Sequence, residues 1–108
     1  MKKKLSLVAF IYAKPGYQDE VATTLKSLIE LSRSEAGCIN YDLHQSSDDP
    51  TVFVMYENWH DRSDLDHHFN MPYMQEIMKS LPEMLRAPVE MHYLDMLSHP
   101  NRQQLTEG

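Results

Sequence analysis

The chain has 108 residues, 42% of them hydrophobic, and its ten basic and sixteen acidic residues give a net charge of −6. This length fits one domain with a modest core and leaves no room for a separate catalytic domain. The negative charge disfavours nucleic acid and membrane surfaces as partners, and no stretch approaches the ~18 apolar residues of a membrane span.

The N-terminal segment allows two interpretations. Lys2–Lys4 precede an apolar run from Leu5 to Ala13, which is how a secretory signal begins. The bulky Ile11, however, stands where a cleavage site wants a small residue. The run is apolar on both alternating sets, so we predict a first strand that is covered on both faces.

A helix is predicted from Gln18 to about Ser34, after a turn at Lys14–Gly16. Gly37 provides a plausible stop for this helix. The inward positions of the helix recur at helical spacing, at Val21, Leu25, Leu28, Ile29 and Ser32.

Two further strands follow the first helix. In the second strand Ile39, Tyr41 and Leu43 alternate with polar residues, so only one face is buried. A dense turn signal over residues 46–50 leads to a third strand from Thr51 to Trp59, which is again apolar on both alternating sets.

The second helix and the last strand complete the pattern. Asp61 resembles a helix N-cap, the segment 70–72 interrupts the helix because of its proline, and the helix resumes from Tyr73 to Leu81. A final strand is predicted from Val89 to Leu97, followed by a polar tail over residues 98–108 that is either frayed or laid on a neighbour.

The order βαββαβ predicts an α+β ferredoxin-like sandwich over residues 1–97, with a four-stranded antiparallel sheet in the order 4-1-3-2 and two helices on one face. Strands one and three are central in that order, and they are the two that are apolar on both sets. Two helices cover only one face, so a second copy is the simplest cover for the other. We therefore expect a homodimer with a dimeric α/β barrel-type assembly.

Trp59 and His68 form the leading candidate site. Trp59 ends the third strand and His68 lies two turns into the second helix, facing the sheet, so the pair could flank a space between helix and sheet. The alternative is that Trp59 caps the core and His68 is a satisfied border histidine. His67 points about 100° away and is expected to face solvent, and no metal site is predicted.

Aromatic residues and methionines could line an apolar cavity with a few polar tips, although methionines fill irregular cores equally well. Glycine-rich phosphate loops and nucleophile elbows are absent. Cys38 has no assigned base and is read as structural. As a lone cysteine it cannot form an internal disulfide, which suits a cytoplasmic location.

A set of short motifs spread over Leu5 to Leu97 resembles the antibiotic-biosynthesis monooxygenase (ABM) family. The motifs are Pro15-Gly16, Glu35-Ala36-Gly37-Cys38 with Tyr41, Tyr56-Glu57-Asn58-Trp59, and Leu65 with His68 before Pro72-Tyr73. Each piece alone is weak, but their order and spacing together are fairly specific.

The resemblance implies a dimeric ferredoxin-like enzyme that needs no cofactor and uses dioxygen as co-substrate to oxidise a quinol-like or polyphenolic molecule. It implies His68 as proton acceptor or orienter of a water, Trp59 as stacking wall and N–H donor, and Tyr73 as a catalytic hydroxyl, with Glu57 structural. The expected substrate-binding residues are Tyr41, Tyr56, Phe69, Met74 and Met78.

Other functions of this family and fold remain open. Haem degradation fits less well, because the first strand has no asparagine and the ligand position falls near Met78. An isomerase or degradative enzyme for a phosphorylated signalling sugar would need a cationic site, with Arg62, Lys79 and Arg86 as candidates. A non-catalytic dimeric binding or stress-response module is a third alternative. An RNA-recognition domain is disfavoured because residues 52–56 lack that module's glycine and basic residues.

Overall fold

The computed structural model describes residues 3–99 and confirms the βαββαβ order. Each of the two predicted helices is divided into two shorter helices. A 3-10 turn, Leu81–Met84, follows the last helix. The helices and strands are β1 (Leu5–Tyr12), α1 (Gln18–Lys26), α2 (Ile29–Arg33), β2 (Cys38–Gln45), β3 (Val52–Trp59), α3 (Arg62–Phe69), α4 (Pro72–Ser80) and β4 (Glu90–Leu94).

The sheet is antiparallel in the order β2-β3-β1-β4, which confirms the predicted order read from the other edge. β1 and β3 pair along their whole length, from Leu5 opposite Trp59 to Tyr12 opposite Val52. Successive side chains of a strand point to opposite faces of the sheet. Each of these two strands therefore has one set of side chains on the face that the helices cover and one set on the other face.

The first predicted helix is not continuous in the structure. It breaks at residues 27–28, between α1 and α2. The Ser27 hydroxyl donates to the Thr24 carbonyl at 2.6 Å, and the Leu28 amide bonds to Leu25, three residues back, at 3.1 Å. Serine and threonine side chains compete in this way for helical carbonyls, so the regular helix is interrupted at this point and α2 is a separate segment.

The second predicted helix begins and is interrupted where the sequence predicts. The Asp61 carboxylate accepts a hydrogen bond from the Asp64 amide at 3.0 Å, which is the predicted N-cap. Met71 is extended, with a ψ of 140°, and Pro72 opens α4. A residue before proline is driven out of the helical region, so the interruption is confirmed, with α4 beginning at Pro72 rather than Tyr73.

The strand ends are shorter than predicted. β1 stops at Tyr12, and Ala13 makes only an isolated bridge to Leu85. β4 runs from Glu90 to Leu94, all exposed, instead of reaching Leu97. Residues 100–108 of the predicted tail lie outside the described residues. Among residues 3–99, no helix has the length and apolarity needed to cross a membrane.

The helices cover one face of the sheet and leave the other open. The covered face carries Leu7, Ala9 and Ile11 of β1, all buried. The open face carries the alternate residues of the central strands, which are only half-buried in the single chain: Val8, Phe10, Tyr12, Val52, Val54 and Tyr56. The apolar open face predicted from the two central strands is therefore present.

Candidate functional site

Trp59 and His68 lie against each other in the core. Both are 0% exposed, and their ring centroids are 4.6 Å apart with planes inclined at 37°. The sequence pattern allowed either a space between the two residues or a packed arrangement in which Trp59 caps the core. The rings pack directly against each other. Tyr41 and Phe69, each with its ring centroid 5.5 Å from that of His68, line a neighbouring cavity.

Glu35 holds His68 in place. It lies in the connection between α2 and β2, and its side chain is only 8% exposed. Its Oε2 is 2.8 Å from His68 Nδ1 and also accepts a hydrogen bond from the Tyr73 hydroxyl. A carboxylate can accept both bonds only if His68 carries its proton on Nδ1, which leaves Nε2 as an acceptor. Among the described residues, His68 Nε2 has no hydrogen-bond partner.

The protonation state of His68 follows from its surroundings. Burial lowers the pKa of the imidazole, and the hydrogen bond and charge of Glu35 oppose this effect without overcoming it. His68 is therefore neutral at neutral pH. A neutral histidine that is oriented by a carboxylate and has a free ring nitrogen is an arrangement suited to accepting a proton.

Hydroxyl groups extend this network towards β2. Tyr73 lies 3.4 Å from Ser32 Oγ, and Ser32 also bonds the hydroxyl of Tyr41. Burial raises the pKa of Tyr41, and burial with the bond to Glu35 raises that of Tyr73 to about 12. Both tyrosines thus keep their hydroxyl protons at neutral pH.

Glu57 is a buried carboxyl group next to Trp59. It is 4% exposed, and its Oε1 accepts a hydrogen bond from Trp59 Nε1 at 3.0 Å. Burial raises the pKa of Glu57 to about 7, although the Trp59 bond acts in the opposite direction. The family resemblance noted in the sequence implies only a structural role for this residue. The signal that could have identified it is its place on the inward set of β3, where Phe53 and Met55 are apolar.

An inner cavity of about 70 Å³ lies between the sheet and the helices. Four of the five predicted substrate-binding residues line it, namely Tyr41, Phe69, Met74 and Met78. Glu57 lines the same cavity, among walls that are otherwise almost entirely apolar side chains. Apolar walls with a few placed polar groups are the usual composition of a small-molecule site.

Tyr56, the fifth predicted substrate-binding residue, does not join the others. It stands between the inward residues Met55 and Glu57 on β3, so its side chain lies on the open face of the sheet. It pairs with Val8 of β1, which lies on the same face. The alternation of the strand therefore separates Tyr56 from the inner cavity.

A vestibule adjoins the inner cavity near β4. It has a volume of about 550 Å³ and shares four wall residues with the cavity, including Met78 and Met91. Both of these methionines are partly exposed.

A second, outer pocket of about 660 Å³ lies on the other side of the histidine network and is lined in part by Glu35, Tyr73 and the exposed His67.

Cys38 is half-buried, and burial with the nearby Glu57 raises the pKa of its thiol to about 11, so the thiol is protonated. Within residues 3–99, no group of three or more histidine, cysteine or acidic side chains is arranged to hold a metal ion.

The three cationic candidates for a phosphate site do not converge. Arg62 forms an ion pair with Asp66 at 3.2 Å. Arg86 instead donates to the Ala13 carbonyl at 2.6 Å, at the opposite end of β1 from the Leu5–Trp59 pair. Lys79 is exposed on α4. These positions give no shared anion-binding pocket.

The sequence model of the antibiotic biosynthesis monooxygenase family matches residues 5–80, which include Glu35, Glu57, Trp59, His68 and Tyr73. The chain belongs to this family. The fold, the order of its motifs and the matched span agree on this assignment, and the resemblance inferred from the sequence is confirmed.

Relatives support the ABM assignment. A Synechocystis protein described as uncharacterized is 36% identical over 80 residues, 74% of this chain, and the chain spans about half (54%) of that relative's length. A Bacillus subtilis protein named "Putative monooxygenase YcnE" is 32% identical over 84 residues, covering 78% of this chain and 88% of the relative. The structure of PA3566 from Pseudomonas aeruginosa is 35% identical, with a TM-score of 0.85 over 91% of this chain and 98% of that one.

Replacing Glu57 with glutamine is expected to stabilise the protein at alkaline pH. The unfolded chain ionises Glu57 near the ordinary pKa of 4.5, whereas the folded chain keeps the proton up to about 7. The stability contributed by the protonated carboxyl is therefore present below pH 4.5 and lost as the pH rises through 7. The lost contribution amounts to about 3 kcal/mol.

Urea unfolding of the wild type and of Glu57→Gln measures this effect. The difference in free energy of unfolding should grow between about pH 4 and pH 8 in favour of the variant. Glu76→Gln, which removes an exposed carboxyl on α4, serves as the control. A constant difference across this range would show that Glu57 ionises normally.

Proposed function

We propose that this protein is a cofactor-independent monooxygenase that uses dioxygen to oxidise a small quinol-like or polyphenolic molecule. The observation that carries this proposal is the inner cavity, which combines apolar and aromatic walls with a carboxyl and a hydroxyl group. Family membership supports the reaction class. A flat phenol matches such a cavity, because its ring packs against apolar side chains and its hydroxyl needs a polar partner.

The proposed reaction requires the protein to accept a proton from the substrate and to return it later. In the proposed reaction His68 accepts a proton from the substrate, directly or through a water molecule, and Glu35 stabilises the imidazolium that forms. The electron-rich anion passes one electron to dioxygen, and the two radicals join through a new carbon–oxygen bond. The proton returns to the peroxide and water leaves. Quinol and dioxygen thus give hydroxyquinone and water, with all electrons supplied by the substrate.

The cavity must expand to hold a ring, because about 70 Å³ is well below the roughly 300–1,000 Å³ of typical small-molecule sites. Two of its walls are the flexible side chains of Met74 and Met78. An unbranched thioether changes rotamer at little cost. Rotation of Met78 would merge the cavity with the vestibule, whose wall it shares.

Oxygen uptake with a panel of hydroquinones and anthrones, without added metal or flavin, tests the proposed function. His68→Ala should lower the turnover number by about 100-fold or more, since a general base contributes on that order. His67→Ala is the matched control, because His67 is the adjacent but exposed residue of the same helix. It should retain wild-type turnover.

Two results would count against the proposal. Uptake that is equal in wild type, His68→Ala and His67→Ala would remove His68 from the reaction. Binding of the panel without any uptake would favour the non-catalytic binding module, the alternative that shares this fold and pocket.

We also propose that the protein is a homodimer that pairs through the open face of the sheet. Phe10 and Tyr12 of β1 and Val54 and Tyr56 of β3 belong to a continuous half-buried apolar surface there. A surface of this kind favours association, and a two-fold pair is the commonest solution. The pairing would cover Tyr56 and hold the two central strands rigid beneath the inner cavity.

Phe10→Asp should dissociate such a dimer, because it would place a charge in the apolar interface. Sedimentation equilibrium is expected to give twice the single-chain mass for the wild type and the single-chain mass for the variant. Leu31→Asp, at an exposed position on α2, is the control and should remain dimeric. A wild type that sediments as a single chain would refute the pairing, and circular dichroism verifies that the variants are folded.

A further inference from the structure

Glu57 occupies a place in the cavity wall where the fold favours an apolar side chain. It follows Phe53 and Met55 on the inward set of β3 and faces Leu7 across the β1 ladder. Burying a carboxyl group among such neighbours destabilises the folded chain unless the group is neutral or well bonded. Trp59 Nε1 supplies one hydrogen bond, to Oε1.

Among the described residues, no cation shifts the pKa of Glu57, and the one charge that does is the like charge of Glu35. Glu35 lies in the connection before β2, and on β2 itself the charge of Glu57 raises the pKa of Cys38 and of Tyr41. From the helices, the cavity wall is completed by Phe69, Met74 and other apolar side chains. The carboxyl therefore faces the cavity without a counter-charge, and a phenol hydroxyl in the cavity would be a hydrogen-bond donor to it.

We infer that Glu57 is a second catalytic residue, which accepts the hydroxyl proton of a phenol bound in the inner cavity. This inference rests on the proposed function. In this step the oxygen–hydrogen bond of the phenol breaks, the proton moves to a carboxylate oxygen of Glu57, and the electron pair stays on the phenol oxygen. Loss of this proton, together with the one that His68 accepts, gives the electron-rich anion that passes an electron to dioxygen, and the proton on Glu57 leaves in the water that is released.

Glu57 and His68 then have separate tasks. A quinol releases both of its hydroxyl protons on the way to a quinone, so a second acceptor at the cavity has a defined role. Trp59 connects the two groups, because its N–H bonds Glu57 while its ring lies against His68. Holding Oε1 in this way makes Trp59 a positioning residue for the carboxyl.

The first test compares the pH dependence of oxygen uptake with hydroquinone in the wild type, Glu57→Gln and Glu76→Gln. Ionised Glu57 is the active form, so wild-type turnover should rise with pH through about 7. Glutamine keeps an oxygen that can accept the Trp59 hydrogen bond and removes only the proton acceptor. Glu57→Gln should have a turnover number about 100-fold lower than the wild type. Its turnover should no longer rise with pH near 7, whereas Glu76→Gln should match the wild type.

The second test needs no turnover. Trp59 is the single tryptophan of the chain, and its bond to Glu57 makes its fluorescence a reporter of that carboxyl. The wild type should show a fluorescence transition near pH 7 that is absent in Glu57→Gln and present in His68→Gln. Saturating phenol should lower the midpoint, because its hydroxyl donates to the ionised carboxylate.

The outcomes separate this inference from the proposed function. A Glu57→Gln variant with wild-type turnover and an unchanged pH profile overturns the role of Glu57 alone. If phenol shifts the fluorescence midpoint but no oxygen uptake is measured, the contact between phenol and Glu57 is supported and the proposed oxygenase activity is refuted. A midpoint that phenol does not move overturns the contact itself.

Discussion

The hydrogen bond between Glu35 Oε2 and His68 Nδ1 joins the two halves of the helical layer over the sheet. Glu35 follows α2, His68 lies in α3, and Tyr73 of α4 donates to the same carboxylate. The bond fixes the tautomer of His68 and the orientation of its ring. That ring in turn lies against Trp59 and Tyr41, so the positions of the cavity walls depend on it.

The second constraint is the placement of two buried carboxyl groups near one cavity. Glu35 has polar partners from two helices, whereas Glu57 has one indole N–H and a largely apolar environment. Their different surroundings give them different tasks, since one orients a histidine and the other retains its proton to about pH 7. Proteins place such destabilising groups where function requires them. The gain in stability expected on neutralising Glu57 is the thermodynamic counterpart of its role in proton transfer.

Much of the fold could be predicted from the sequence, because it depends on local periodicity. β1 and β3 are apolar on both alternating sets, which identified them as the central strands, and the proline at 72 placed the break between α3 and α4. The break at Ser27 was missed because a serine bonding back to a carbonyl leaves the apolar spacing of the helix intact.

The site was predicted less completely. Glu35 and His68 are 33 residues apart, and no periodicity relates a loop residue to a residue on a helix. The adjacency of Trp59 and His68 was accessible from strand and helix direction, but whether the rings touch or enclose a space depends on packing. Tyr56 and Glu57 could have been sorted by the alternation of β3 alone, since one faces the open side and the other the cavity.

The most direct test of the account is a crystal structure of the protein with phenol, a ligand that carries one hydroxyl and no second ring. The phenol ring is expected in the inner cavity, with Met78 displaced towards the vestibule and the hydroxyl within hydrogen-bond distance of Glu57. Phenol bound only in the outer pocket beside His67 and Tyr73, with the inner cavity unchanged, would contradict it.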